Sequence, residues 1–468
     1  MVSLGCPKNL VDSEVMLGLA QRAGLELTRE PEQAEVLIVN TCAFIDKAKQ
    51  ESVDAILEMA QHKKTGACRT LVVAGCLAER YRADLRDQIP EIDVILGTGE
   101  VPDIVAALGL TGGRTSRTTS PLQVLRANGD PVTFGQSGRA APASAPRSQD
   151  LPTYIYDADT PRLLATPRHY AYVKIAEGCD YKCGFCIIPT LRGHYRSRPH
   201  DQVVREARDL AARGVKELLL ISQDTTFYGN DRGERGALAR LLRALNDVEG
   251  IEWIRLLYLY PTTIGDDVLG AMADLEKVCP YIDLPLQHAA DAVLKRMKRP
   301  GTRASYERLL DRIRRRVPDV TLRTTFIVGY PGETADDFEE LLDFVGAQEF
   351  NHVGVFTYSH EEGTSAFDLA DDVPAGVKER RRAAVMRRQR QIVTRAQRRR
   401  VGERLRLVVD GPSSEHELVL RARSAGQAPD IDSVVYLTDC DPASLTPGEF
   451  LDAELVSARD YDLLARPL

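Results

Sequence analysis

The first hundred residues alternate short, continuous apolar runs with stretches of helical spacing. "EVLIVN" (35–40), "RTLVVA" (69–74) and "IDVIL" (92–96) are bounded by polar residues or glycine, the pattern of strands buried on both faces of a parallel sheet. Between them, "DKAKQESVDAILEMAQHKK" (46–64) carries apolar residues three and four apart, which predicts a helix. The opening "MVSL" reads as a further short strand. Residues 1–110 are therefore expected to form a small open parallel α/β domain.

Periodicity then lapses. Residues 111–168 are rich in Gly, Ser, Thr, Pro and Arg, as in "GQSGRAAPASAPRSQD" (135–150), and read as a flexible linker. From 169 to 377 the alternation returns, with strands expected at 171–176, 217–222, 253–259, 281–286, 321–328 and 352–358, and helical patterns between them such as Thr334–Gly346. Six strand–helix repeats of roughly 25–40 residues predict a partial (β/α)6 barrel with its reactive groups at the C-terminal strand ends. A six-stranded doubly wound sheet is the alternative. Residues 378–406 hold 13 Lys/Arg against 2 Glu in a helix-prone run, of which 378–400 read as a basic helical connector. Residues 401–468 change to β-like runs separated by Gly and Pro turns, and predict a small five-stranded β-barrel.

Composition adds boundaries rather than a function. The chain of 468 residues is 43% hydrophobic, enough for several packed cores. A net charge of −7 gives no global case for nucleic-acid binding. No apolar run approaches the roughly 20 residues that span a bilayer, and the start lacks the pattern of a secretory signal, so a cytoplasmic protein with no membrane partner is expected. In that reducing setting nine cysteines, an odd number, favour metal ligands or spare thiols over disulfides.

Two sets of three cysteines carry the chemistry. "GCDYKCGFCIIP" (178–189) places Cys179, Cys183 and Cys186 on one loop directly after the first barrel strand, and the next cysteine is Cys279. A zinc ribbon would pair a C-x2-C with a second such pair, and none exists here. Three thiolates can hold three irons of a cubane cluster and leave the fourth iron open, and an open metal position is where chemistry occurs. Cys6, Cys42 and Cys76 each lie just beyond an expected strand end in the first domain. The C-terminal ends of a parallel sheet share one edge, so these three should converge as a second set lacking a fourth ligand. The alternative is three small buried residues. Cys68, Cys279 and Cys440 share no such placement and read as core or spare thiols.

The loop "GCDYKCGFC", with Phe185 before its third cysteine, closely resembles the radical S-adenosylmethionine enzymes. Two three-cysteine sets, an α/β domain, a barrel and a small β domain together resemble the methylthiotransferase family over nearly the whole chain. "SLGCPKNLVDSE" (3–14) and "GCDYKCGFCIIPTLRGHYRSR" (178–198) are similar to the branch that modifies a ribosomal protein. The tRNA adenosine-modifying branch, the alternative, carries Gln-Met-Asn where this chain has Pro7-Lys8-Asn9.

The resemblance implies a transferase that replaces the unactivated β-C–H of an aspartate in small-subunit ribosomal protein twelve by C–SCH3, giving 3-methylthioaspartate. It implies two 4Fe–4S clusters, one on Cys179, Cys183 and Cys186 that cleaves S-adenosylmethionine, and one on Cys6, Cys42 and Cys76 that carries sulfur. S-adenosylmethionine serves both as radical source and as methyl donor, and the electron donor is of the flavodoxin or ferredoxin kind. Phe185, Gln223, Asp224 and Gln287, with His288 and Glu333 behind them, are expected at the cofactor; for each polar residue the alternative is turn chemistry or capping. Arg192, Arg196 and Arg198 are expected either to bind carboxylate or phosphate or to lie in a solvated loop.

Residues 401–468 resemble a TRAM domain, an OB-like fold that often binds RNA. Their 13 Asp/Glu against 6 Lys/Arg suit a basic protein partner instead. The basic segment 378–406 fits contact with ribosomal RNA, or a solvated helix packed on the barrel. An electron carrier with two clusters is a third reading, weakened because such carriers give each cluster four protein ligands.

Overall fold

The computed structural model describes residues 1–110, 151–413 and 419–468. The larger part of the expected linker, 111–150, lies outside the described residues. The described chain forms two compact units. The first comprises Met1–Ala165, Glu177–Tyr181 and Cys186–Arg196; the second comprises Thr166–Ala176, Lys182–Phe185 and Ser197–Leu468.

In the first unit, strands Val2–Ser3, Val36–Thr41, Thr70–Gly75 and Val94–Leu96 form a parallel four-stranded sheet in chain order. The central two strands are buried almost end to end, as their unbroken apolar runs require. Helix Asp46–Thr65 turns Val53, Ile56 and Met59 onto Leu37, Val39, Leu71 and Val73.

Helix Pro7–Arg22 shows no apolar stripe in the sequence, because it buries Asn9, Asp12, Ser13 and Glu14 together with Val11, Val15 and Met16. Those polar groups are bonded inside the unit: Asn40 Nδ2 donates to Asn9 O and to Ser13 Oγ, both at 2.8 Å. The fully buried Glu14 accepts from Arg162 Nη2 at 2.6 Å and from the Ala165 backbone N–H at 2.7 Å. Residues 151–165, read as linker, therefore belong to the first unit. A strip held by one ion pair and backbone bonds has no hydrophobic period to betray it.

In the second unit, strands Tyr170–Lys174, Glu217–Ile221, Trp253–Leu256, Val278–Asp283, Thr321–Val328 and His352–Thr357 lie side by side in chain order, all parallel. A doubly wound sheet reverses its order at a switch point. This one never does, and it is the open six-stranded barrel expected. Helix Ala335–Gln348 begins with a capping box between Thr334 and Asp337. Helix Ala375–Arg399 follows the last strand. The chain then closes a five-stranded barrel, Arg404–Pro412, Leu420–Ser424, Val435–Leu437, Asp462–Pro467 and Phe450–Arg459 in spatial order, around Leu407, Val409, Ala422, Val435, Leu455 and Ala465.

This small barrel does not stand apart. At the N-terminal ends of the large barrel's strands, buried Glu217 accepts from Arg255 Nε at 2.7 Å, and its second oxygen lies 2.8 Å from Nη2 of Arg423 in the small barrel, close but not aligned as a hydrogen bond. Arg423 donates in turn to Asp410, which also meets His169 at 2.9 Å. Asp432 accepts from Tyr281 Oη at 2.7 Å and lies 3.3 Å from Arg323; Asp430 accepts from Tyr170 Oη at 2.9 Å. Part of the acidic surplus of residues 401–468 is thus spent inside the molecule. Among the described residues no helix is long and apolar enough to cross a membrane.

Candidate active site

In the first unit, Cys6 is the N-cap of helix Pro7–Arg22, Cys76 opens helix Cys76–Arg80, and Cys42 follows strand Val36–Thr41. The three meet on the C-terminal edge of the sheet. Gly5 sits at φ +86°, and a Cβ there would lie 2.8 Å from that of Cys42, so glycine admits the close approach of the two loops. Ser52 Oγ accepts from the Cys42 backbone N–H and donates to its carbonyl, both at 2.9 Å. Burial first, then the neighbouring Cys76 and Cys6, push the Cys42 thiol up to about 12. Burial also raises Cys76, against the pull of Arg192.

Such thiols lose their protons only to a metal centre strong enough to pay for it. Among the described residues no three His, Cys, Asp or Glu groups close around a single ion. A cubane gives each thiolate its own iron, so its ligands stand apart rather than converge on one point. An all-sulfur set of three on one sheet edge fits that group.

Arg192 lies against this edge within the same unit. It is 3% exposed. Its Nη1 donates to Asp12 at 2.6 Å and lies 3.4 Å from Glu177; its Nη2 donates to Asn9 Oδ1 at 3.0 Å and to Cys76 Sγ at 3.5 Å. Burial works against its charge, but Cys76, Glu177 and Asp12 outweigh it, and the guanidinium stays protonated. Arg198 is equally buried on Glu206 at 2.5 Å. Arg196 donates to the backbone carbonyls of Tyr154, Arg192 and His194. The solvated-loop alternative gives way for Arg192 and Arg198, and the carboxylates that these two meet belong to the chain itself.

The three-cysteine loop has residues in both units. In the first, Cys179 N–H donates to Gly193 O at 3.0 Å. In the second, Gly184 N–H donates to Met297 O at 2.7 Å and Gly184 O accepts from Ala366 N–H at 2.8 Å. A Cβ on Gly184 would lie 2.6 Å from Tyr330 Oη, so the residue between Cys183 and Phe185 has to be glycine. Phe185 packs on the cluster of Ala290, Val293, Met297, Tyr330 and Tyr358. Arg299, which no sequence pattern marked, has its Cζ over the Tyr260 ring, 4.3 Å from the centroid, donates to Pro285 O at 2.6 Å and points Nη1 at Cys183 Sγ at 3.6 Å.

The strand ends hold the other expected residues in different states. Asp224, fully buried, accepts from Thr226 N–H at 2.9 Å, from Thr226 Oγ1 at 2.5 Å and from Thr263 Oγ1 at 3.0 Å. That is the geometry of the turn-capping alternative. Gln223 beside it is partly exposed, as is Gln287. Gln287 sits at φ +74° and pairs its backbone with Thr325 and Ile327; Tyr258, at the preceding strand end, sits at φ +61°. Left-handed conformations at non-glycine residues store strain and cluster at functional edges.

His288 and Glu333 form a buried pair behind Gln287. His288 Nδ1 accepts from Ala290 N–H at 3.0 Å, which leaves the proton on Nε2, 4.0 Å from Glu333 Oε1. Glu333 also accepts from the Gly329 and Tyr330 backbone N–H groups and lies 3.2 Å from Arg381. Burial lowers His288 to about 3, with Asp337 opposing and Arg296 and Arg381 adding. An imidazole lowered on folding contributes full stability above its ordinary value of 6.5 and loses it as pH falls toward 3. Burial raises Glu333, so its titration carries the opposite sign. A His288→Gln protein is therefore expected to lose less melting temperature than the parent between pH 6.5 and pH 4; equal losses would show that the imidazole is not the group responsible.

The fold and the paired thiol sites define a class, and comparison with known proteins agrees. Residues 173–345 match the Radical SAM superfamily, residues 1–97 the uncharacterized protein family UPF0004 and residues 401–468 the TRAM domain. The radical S-adenosylmethionine methyltransferase TsrM from Kitasatospora setae shares the fold, with a TM-score of 0.51 at 18% identity over 75% of this chain and 70% of that one. The chain is 47% identical over its full length to the ribosomal protein uS12 methylthiotransferase RimO of Koribacter versatilis, 95% of which it covers. It is 44% identical over 99% of its length to that of Trichlorobacter lovleyi, 97% of which it covers. This chain belongs to the uS12 methylthiotransferase (RimO) family of radical S-adenosylmethionine enzymes, which use S-adenosylmethionine and 4Fe–4S clusters.

Proposed function

We propose that this chain transfers a methylthio group to the β-carbon of an aspartate in ribosomal protein uS12. The full-length similarity to proteins of that name carries the reading. Cys179, Cys183 and Cys186 hold one cluster; Cys6, Cys42 and Cys76 hold the second. S-adenosylmethionine at a cluster supplies the one-electron chemistry that an unactivated C–H requires.

The chain's own residues position and shield the reactants. The pinned Gly184 fixes the loop between the second and third cysteines, Phe185 closes one wall with Tyr330 and Tyr358, and Arg299 directs a charged donor at Cys183. Gln223 and Gln287 lie at the C-terminal ends of the second and fourth barrel strands, the edge where a nucleotide would lie. The electron comes from a flavodoxin- or ferredoxin-type donor, and a ribosomal substrate places the reaction in the cytoplasm. In a strain lacking the gene, mass measurement of uS12 is expected to show loss of the methylthio group with tRNA nucleosides unchanged. An unaltered uS12 beside loss of methylthiolated tRNA would favour the tRNA alternative and overturn this reading.

The substrate is better met on the assembled small subunit than as free protein. Helix Ala375–Arg399 is anchored on one side by Lys378 to Asp371 at 2.6 Å and by Gln389 to Phe350 O at 2.7 Å. On its solvent side Arg380, Arg387 and Arg398 fall on one exposed line, with Arg388, Arg395 and Arg399 beside it. Such a row suits RNA phosphates. Replacing Arg380, Arg387 and Arg398 with glutamate should weaken binding to the subunit and flatten its salt dependence, leaving binding to isolated uS12 intact. Equal loss on both would assign the row to the protein.

A further inference from the structure

We propose that Arg192 is a positioning residue for the cluster held by Cys6, Cys42 and Cys76, a step that rests on the assignment of those thiols. One buried guanidinium reaches groups next to several ligands. Asn9 and Asp12 lie on the helix that Cys6 caps, Glu177 lies two residues before Cys179, and Arg192 itself ends helix Ile188–Arg192, which follows Cys186 closely. All belong to the first unit.

The fork is held from both sides. Asp12 and Glu177 fix Nη1, Asn9 fixes Nη2, and Nη2 is thereby aimed at Cys76 Sγ at 3.5 Å. The helix is seated as well: Thr98 Oγ1 donates to Leu191 O at 2.5 Å, and Ile187 and Leu191 pack into the core that contains Cys76, Leu77 and Ala78. A planar guanidinium can serve four partners in this way, and a lysine ammonium cannot.

Hydrogen bonds to cluster sulfurs set reduction potential, and residues that orient metal ligands typically hold about 10–100-fold in metal affinity. Without Arg192, Asp12 and Glu177 would stand as two buried carboxylates near a thiolate-bound cluster. Reduction of that cluster would become harder and its retention poorer.

The test uses the full chain with Cys179, Cys183 and Cys186 changed to alanine and reconstituted with iron and sulfide, so that only this cluster can form. Arg192→Met is expected to shift the midpoint potential, followed by electron paramagnetic resonance, to a more negative value and to speed iron loss to a chelator about 10–100-fold. Arg192→Lys, which keeps the charge, should fall between Met and Arg. An unmoved potential and loss rate in Arg192→Met overturn the inference while bound iron upholds the cluster assignment. Absence of iron in the alanine background overturns the assignment and the inference together. If the methionine variant fails to fold, the lysine variant decides: a potential equal to that of arginine overturns the proposal, and a more negative one supports it.

Discussion

A Cys183→Ala protein is expected to lose S-adenosylmethionine cleavage outright while keeping about half of its iron, because each 4Fe–4S cluster holds about four irons and only one of the two sets has lost a ligand. Cys42→Ala is expected to give the reciprocal result: about half the iron again, 5′-deoxyadenosine still formed, and no methylthio product. The pair separates two sites that a single activity assay would merge. Cys183 has Arg299 as its charged neighbour and lies in the second unit. Cys42 is half-buried beside Gly5 and Ser52 in the first. Full cleavage of S-adenosylmethionine by Cys183→Ala would refute the assignment of the loop. A methylthiolated product from Cys42→Ala would refute that of the sheet edge.

The placement of the six cysteines was legible in the sequence because one set is closely spaced on a single loop and the other is locked to strand ends. The six barrel strands were legible because buried parallel strands leave unbroken apolar runs. Other features depend on interactions that leave no period. Helix Pro7–Arg22 buries polar side chains that satisfy one another, so its pattern looks like a loop with scattered hydrophobics. Residues 151–165 are held by the ion pair of Arg162 with Glu14, nearly 150 residues away in sequence. Arg299 lies 116 residues from Cys183, and one of the three basic residues in "RMKRP" carries no signal of that contact. The capping bonds of Asp224 were not legible either: a buried aspartate that caps a turn and one that meets a nucleotide leave the same letter in the same place. Arg192 was flagged on its chemistry, but its partners Asn9, Asp12 and Cys76, distant in sequence, could not be.

The buried network beneath the large barrel yields the largest expected effect on stability. Glu217 is 1% exposed and faces Arg255 and Arg423, themselves at 0% and 2%. Although burial pushes its carboxyl up, Arg423 and Arg255 pull it further down, below its ordinary value of 4.5. A carboxyl lowered on folding contributes stability above that value and loses it as pH falls through the lower folded one.

Glu217→Gln leaves two guanidinium charges in a dry site, with Asp410 against Arg423 alone, and is expected to cost about 3–5 kcal/mol, the usual penalty for breaking a buried pair. Glu454→Gln removes the partner of Arg466 on the exposed face of the small barrel, where both side chains are more than a third exposed, and should cost about 0–1 kcal/mol. Urea midpoints of the two variants, read at neutral pH, test the contrast.

The same comparison tells stabilisation from specificity. Replacing Glu217, Arg255 and Arg423 together by methionine removes every charge of the triad but leaves Asp410 with His169 alone, and is expected to recover part of the loss, since well-packed apolar substitutes for buried ion pairs are often neutral or better. The small barrel docks through Arg423, Ala425 O and Asp432, however, and apolar contact carries no direction. A triple variant that regains its midpoint but shows protease cleavage at the start of the small barrel would mean that the charges choose how the two barrels seat. A triple variant as unstable as Glu217→Gln would place the cost in packing rather than in unpaired charge.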